Sequence, residues 1–194
     1  MPEGDLRLFV AVPIPPDTIR ACERLIAGVR GSDAAGRLRW VRPDGLHLTL
    51  RFLGATAPAR VPDLEAALVA ATEGFASFDV ALAGAGAFPS PRRPSTVWLG
   101  VAAGAAELEA LARRLAPGLA GLGWPPETRP FRAHLTVARV PSPGPPAAVA
   151  VEALVVAAHD WRAPFRATSV ALYRSHLGGG PARYEAIAEA PLAR

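Results

Sequence analysis

Apolar residues along the chain recur first at the two-residue period of strands and then at helical spacing, and this alternation predicts an α+β protein. LRLFVAV (6–12) reads as an opening strand, ended by Pro13, Pro15 and Pro16. Asp17 is placed to cap a helix in which Ile19, Cys22, Leu25, Ile26 and Val29 share a face, and Gly31 supplies its stop. Two strand-like runs follow, RLRWV and GLHLTLRFLG, joined by the turn-prone Pro43, Asp44 and Gly45. A second helix is expected from Pro62 to Thr72, with Leu64, Leu68 and Ala71 on one side.

The order of elements then comes round again. FDVALAGAGAF and STVWLGVA read as strands about a proline-rich loop, and AAELEALARRLAPGLAGL as a helix broken or frayed at Pro117. FRAHLTVARV is the next strand and PSPGPP a loop, while AVAVEALVVAA fits a helix or a strand. PFRATSVALYRSHL reads as one strand, GGG as a turn and RYEAIAE as a closing strand. HLTL at 47–50 returns as HLTV at 134–137, an interval of 87 residues. Such an interval is too long for a solenoid period and fits two pseudo-equivalent α+β lobes better.

Strand parity gives the repeated motif a direction. His47, Thr49 and Arg51 share one face, and Leu46, Leu48, Leu50 and Phe52 the other. His134 and Thr136 likewise face away from Leu135 and Val137. If the lobes pack about a pseudo-twofold axis, two imidazoles and two hydroxyls meet across a groove.

Composition narrows the chemistry. With 194 residues and 51% hydrophobic content the chain can bury a sizeable core. No apolar run approaches the roughly 20 residues of a membrane helix, and the N-terminus lacks a signal-peptide layout. A monomeric protein of the cytoplasm, with no membrane partner, is expected. The lone Cys22 forms no internal disulfide and falls among core positions, and no Cys/His spacing resembles a zinc site, so neither a metal nor a cofactor is expected. The formal charge is +4, and all 21 basic residues are Arg. An all-Arg set fits a GC-rich coding bias, and it also suits phosphate, which the guanidinium fork grips bidentately.

Two imidazoles with ordinary pKa values near 6.5 allow one to accept a proton while the other donates one. That pairing suits in-line displacement at phosphorus, with threonine hydroxyls hydrogen-bonded to the non-bridging oxygens. In its paired H-x-T-x motifs the sequence resembles the two-histidine (2H) phosphoesterases, and among them the RNA 2',3'-cyclic phosphodiesterases, also called 2'-5' RNA ligases. RLFVAVPIP, WVRPDGLHLTLRFLG, FPSPRRPSTVWLGV, RPFRAHLTVAR and SVALYRSHLGGGPARYEAI carry the resemblance along nearly the whole chain.

The resemblance implies a single bilobal domain over residues 1–194. Its two pseudo-symmetric lobes would each hold an antiparallel sheet with flanking helices and one H-x-T-x motif, around a central cleft. It implies metal-independent opening of an RNA 2',3'-cyclic phosphate to a 2'-phosphomonoester, with reversible 2'-5' ligation by the same groups. His47 matches the proton donor, His134 the proton acceptor, and Thr49 and Thr136 the residues that hold the phosphate. Arg139 matches an arginine near the phosphate. Strict alternation, however, puts it on the side of Leu135 and Val137 unless the strand ends or bulges before it, and Arg51 has the better parity. Phe9 shares a face with Arg7 and Ala11 and is a candidate for stacking on a base. Two other readings use the same residues: a phosphodiesterase for a small cyclic nucleotide or an ADP-ribose cyclic phosphate, and a nucleotide- or RNA-binding module without turnover. His159 and His176 read as surface residues, Trp40 and Trp98 as packing, and Arg92 and Arg93 as loop residues.

Overall fold

The computed structural model of the protein describes residues 4–33, 36–142, 144–176 and 182–194. In chain order the elements are β1 (Leu6–Pro13), α1 (Pro16–Val29), β2 (Arg39–Trp40), β3 (His47–Thr56) and α2 (Val61–Thr72). They continue with β4 (Phe78–Ser90), β5 (Arg93–Ala103), α3 (Ala105–Gly121), β6 (His134–Arg139) and α4 (Pro145–Ala157). The last three are β7 (Arg162–Ala167), β8 (Ser169–His176) and β9 (Arg183–Pro191).

The strands join in one curled antiparallel sheet, ordered β7-β4-β5-β6-β3-β1-β8-β9, with β2 added on β6. Its narrow point is the junction of β3 and β6, which is a single register pair, Leu48 opposite Leu135. On one side of that pair lie β3, β1, β8 and β9; on the other lie β6, β5, β4 and β7. The α+β architecture with two antiparallel halves is therefore present; their strands meet at this one register pair, and the segment after β9 adds backbone bonds to Phe75, Ser77 and Thr168 beside the other half.

The duplication predicted from the two motifs extends well beyond them. Phe9, Val10, Ala11, Val12 and Pro13 of β1 stand opposite Phe52, Arg51, Thr49, Leu48 and His47. Thr96, Val97, Trp98, Leu99 and Gly100 of β5 stand opposite Arg139, Ala138, Thr136, Leu135 and His134. Every position in the second ladder is its counterpart in the first plus 87. Helices follow the same scheme with an exchange. After β1, α1 packs on α4 and β7 of the other half; after β5, α3 packs on α2 and reaches β3.

Three sequence expectations are corrected. PFRATSVALYRSHL is two strands, because the chain changes halves at Thr168, whose carbonyl accepts the Leu192 N–H at 2.8 Å; β7 pairs with β4, whereas β8 pairs with β1. Helix α3 runs unbroken through Pro117. Asp17 does not cap α1: Pro15 takes the cap position and Asp17 lies in the first turn, in an ion pair with Arg20. The ambiguous segment is a helix, α4. The turn read at GGG lies outside the described residues.

The core is aliphatic, and Leu48, Leu82, Leu99, Leu108, Leu111, Leu135 and Leu154 are fully buried. Each such side chain contributes roughly 1.5–3 kcal/mol through burial. Leu48 and Leu135 hold the junction of the halves within this core. Among the described residues, no helix is long and apolar enough to cross a membrane.

Candidate active site

The Leu48–Leu135 pair fixes its own surroundings. In an antiparallel pair the flanking positions come opposite one another, so His47 meets Thr136 and Thr49 meets His134. With both leucines turned into the core, the four polar side chains occupy the opposite face, where His47, Thr49, Thr136 and Arg139 line a cavity of about 1130 Å³.

Past the motifs, strict alternation fails at the same place in both halves. Val97 and Trp98 are neighbours on β5, yet they pair with Ala138 and Thr136, which leaves Val137 as an extra residue. Val10 and Ala11 pair with Arg51 and Thr49, which leaves Leu50 extra in β3. Each bulge reverses the parity of the residues beyond it. Arg139 is thereby carried onto the face of His134 and Thr136, where its guanidinium donates to Thr96 Oγ1 at 2.7 Å.

The matching bulge overturns the parity argument for Arg51. It turns away from the cavity, donates to the Pro125 carbonyl and pairs with Glu127 at 3.0 Å. Phe52, expected on the core face, comes into the cavity instead and is 60% exposed. Five residues after each histidine, then, the cavity receives a phenyl ring in one half and a guanidinium in the other.

The histidines are held alike. Nδ1 of His47 lies 2.8 Å from the Gly45 carbonyl, and Nδ1 of His134 lies 2.7 Å from the Arg132 carbonyl. A carbonyl only accepts, so both rings carry a proton on Nδ1, and Nε2 is left for chemistry. Gly45 is closely packed: a Cβ there would lie 3.1–3.2 Å from the Tyr184 ring, which would have to give by a few tenths of an ångström.

Their surroundings differ. His47 is enclosed by aromatic rings: Phe9 at 4.5 Å, Tyr184 edge-on at 5.0 Å and Tyr173 at 5.9 Å between centroids. His134 has the edge of Phe88 at 5.1 Å. Burial pushes the His47 imidazole down to about 4, against the carbonyl of Gly45, with the charges of Arg139 and His134 adding to the depression. Burial also lowers His134, again with help from Arg139. In the free protein both rings are neutral at pH 7.

Phe9 plays a part different from the one expected. It borders the cavity, but only 3% of it is exposed, and it stacks on Tyr173 at 5.2 Å as well as touching His47. A base has no free face there; Phe9 is the wall against which His47 rests, and Phe52 offers the accessible ring. Sequence parity missed Phe52, yet laying the two motifs over one another at an offset of 87 sets it against Arg139.

His159 is exposed beside Asp160, and His176 pairs with Glu185 at 2.8 Å, both outside the histidine pair. Cys22 is buried, which pushes its thiol up to about 12 and leaves it inert. Among the described residues, no group of three or more His, Cys, Asp or Glu is placed to hold a metal ion.

Comparison with known proteins matches this geometry to a family. Residues 15–179 fit the 2'-5' RNA ligase superfamily. The chain belongs to that superfamily. Among its 2'-5' RNA ligase relatives, the RNA 2',3'-cyclic phosphodiesterase of Archaeoglobus fulgidus is 36% identical over 72% of this chain and 76% of that protein. The RNA 2',3'-cyclic phosphodiesterase of Geobacillus stearothermophilus is 33% identical over 95% of this chain, which spans 56% of the length of that relative. The E. coli LigT crystal structure complexed with 3'-AMP superimposes with a TM-score of 0.71 at 26% identity, covering 98% of this chain and 99% of that one. The resemblance read from the paired motifs is borne out.

Proposed function

We propose that the chain hydrolyses RNA 2',3'-cyclic phosphate ends to 2'-phosphomonoesters, residues 1–194 acting as one unit with a motif in each half. The observation that carries the reading is the Leu48–Leu135 register, which sets two Nδ1-anchored imidazoles and two threonines about one centre. The names of the curated relatives, and a LigT structure with 3'-AMP, support a nucleotide phosphate as the occupant.

In the proposed step, water attacks phosphorus and the bond to the 3' oxygen breaks. Nε2 of His134 takes the proton of the water, and Nε2 of His47 donates one to the departing 3' oxygen. Thr49 and Thr136 hydrogen-bond the non-bridging oxygens, and Arg139, oriented by Thr96, offsets the charge that gathers on them. Phe52 receives the terminal base. The donor role of His47 needs the substrate: burial is the main cause of its low proton affinity, and a negative phosphate beside the imidazole favours the protonated form against both burial and the charge of Arg139. With a 5'-hydroxyl in place of water, and the same acid and base, the same step joins a cyclic-phosphate end through a 2'-5' linkage; run backwards, with acid and base exchanged, it cleaves that linkage. The reading takes the chain to work as a monomer in the cytoplasm, and light scattering checks the first of these.

The test is a short RNA bearing a 2',3'-cyclic phosphate, incubated with the protein and excess EDTA. A 2'-phosphate product is expected. A 3'-phosphate product, or tight binding without turnover, would overturn the reading.

A further inference from the structure

The column of residues that faces the cavity differs between the halves at its outer end. On β1 it runs Pro13, Ala11, Phe9, Arg7; on β5 it runs Gly100, Trp98, Thr96, Pro94. Arg7 thus has no basic counterpart. It lies on the wall that carries Phe52, two positions beyond Phe9 on the side away from Pro13, and it lines the cavity. Its side chain is exposed, and among the described residues it makes no ion pair or side-chain hydrogen bond. Of the other lining guanidiniums, Arg42 is already engaged bidentately by Asp44 at 3.0 Å, and Arg39 stands on β2 beside β6, in the half that carries Arg139.

Arg7 is also badly placed for the reacting phosphate. It stands four positions along the strand from Ala11, the partner of Thr49, about 13 Å along the backbone. The reacting group has its own guanidinium, Arg139, in the other half. A nucleoside 2',3'-cyclic phosphate brings a single negative charge, which Arg139 can meet. A free cation on the wall that holds the exposed aromatic ring calls for a second phosphate on the nucleoside side of the substrate. The neighbouring strand leaves space for it, because Gly54, opposite Leu8, adopts φ +75° and would meet nothing with a Cβ.

We infer that Arg7 is a specificity residue that binds the 5'-phosphate of the terminal nucleotide, the link to the rest of the RNA strand. The inference rests on the proposed hydrolysis and adds to it how the site tells a chain end from a free cyclic nucleotide. Arg7 takes no part in the chemical step; it raises the occupancy of substrates that carry a phosphodiester or phosphomonoester at the 5' position.

Three substrates test this: adenosine 2',3'-cyclic phosphate, the same compound with a 5'-phosphate, and a trinucleotide ending in the same cyclic nucleoside. In Arg7→Ala, kcat/KM should fall about tenfold on the second and third, chiefly through KM. On the first it should stay within about twofold of wild type, which also controls for folding. Arg7→Lys should recover most of the loss, and salt should weaken the trinucleotide reaction more than that of the nucleoside. An equal loss on all three substrates, or none on any, would overturn the role of Arg7. A wild type that turns over none of them would overturn the proposed activity itself, and the role of Arg7 with it.

Discussion

His47 and His134 occupy equivalent places in two ladders whose registers agree residue for residue, and each is followed by a threonine and then by a one-residue bulge. The side chains around them are nevertheless of different kinds. His47 stands among Phe9, Tyr173 and Tyr184, with Phe52 exposed beyond them. Among the described residues His134 has one aromatic neighbour, and the position equivalent to Phe52 is Arg139, held by Thr96 where the first half has Phe9. A shared backbone therefore supplies the opposed imidazoles, and in the proposed reaction a few side-chain differences divide the work into a nucleoside wall and a phosphate wall. The bulge is what makes the division possible, since without it both fifth residues would point away from the cavity.

Removing the guanidinium from the phosphate wall should have the largest effect. Arg139→Ala is expected to lower kcat by about a hundredfold or more, as loss of a charged transition-state contact does. A change confined to KM would move Arg139 from the chemistry to ground-state binding. Next comes the electrostatic contrast. The His47 pKa lies below that of the unfolded chain, so the unfolded state binds more protons between pH 6.5 and 4. Stability from this group is full above pH 6.5 and is lost as pH falls, by about 3 kcal/mol at pH 4. Urea unfolding of the ligand-free wild type should show that slope, and His47→Phe should flatten it. Identical slopes would mean that the aromatic enclosure does not set the titration of the ring.

The nucleoside wall is tested by Phe52→Ala, which should raise KM by about tenfold with little change in kcat, in line with the loss of one base–aromatic stack. The defect should vanish on an abasic ribose cyclic phosphate. If the abasic substrate suffers equally, the ring supports the fold and not the base. The smallest effect on turnover is expected at Arg51, which pairs with Glu127 on the far side of the sheet. Arg51→Ala should leave kcat/KM within about twofold of wild type, its cost falling instead on stability, by about 1.5–3 kcal/mol, because its largely buried side chain loses the Pro125 carbonyl and Glu127. A large catalytic loss would restore it to the site.

Much of this was legible in the sequence. The two-residue and helical periods located most elements, and the paired motifs gave the histidines, the threonines and the duplication. Period-two parity is a local rule, however, and a bulge depends on the partner strand. From FRAHLTVARV alone nothing says that Val137 is the extra residue, so Arg139 and Arg51 had to exchange places once the β5 and β1 registers were known. The break at Thr168 was hidden for a similar reason. Strand-forming residues continue on both sides of it, and only pairing with β4 and β1 shows that two strands serve different halves. Phe9 shares a strand face with Arg7 and Ala11, and that parity alone made it a candidate for stacking. Burial by Tyr173 and His47, which come from distant parts of the chain, decides otherwise.

The proposal that the halves act together through opposed imidazoles is tested most directly by the turnover of a cyclic-phosphate RNA trinucleotide, comparing wild type with His47→Ala, His134→Ala and the double variant. Each single substitution should lower kcat by about a hundredfold or more, and the double should fall little further, because acid and base serve one step. Wild-type kcat in either single variant, or losses that simply multiply in the double, would contradict it.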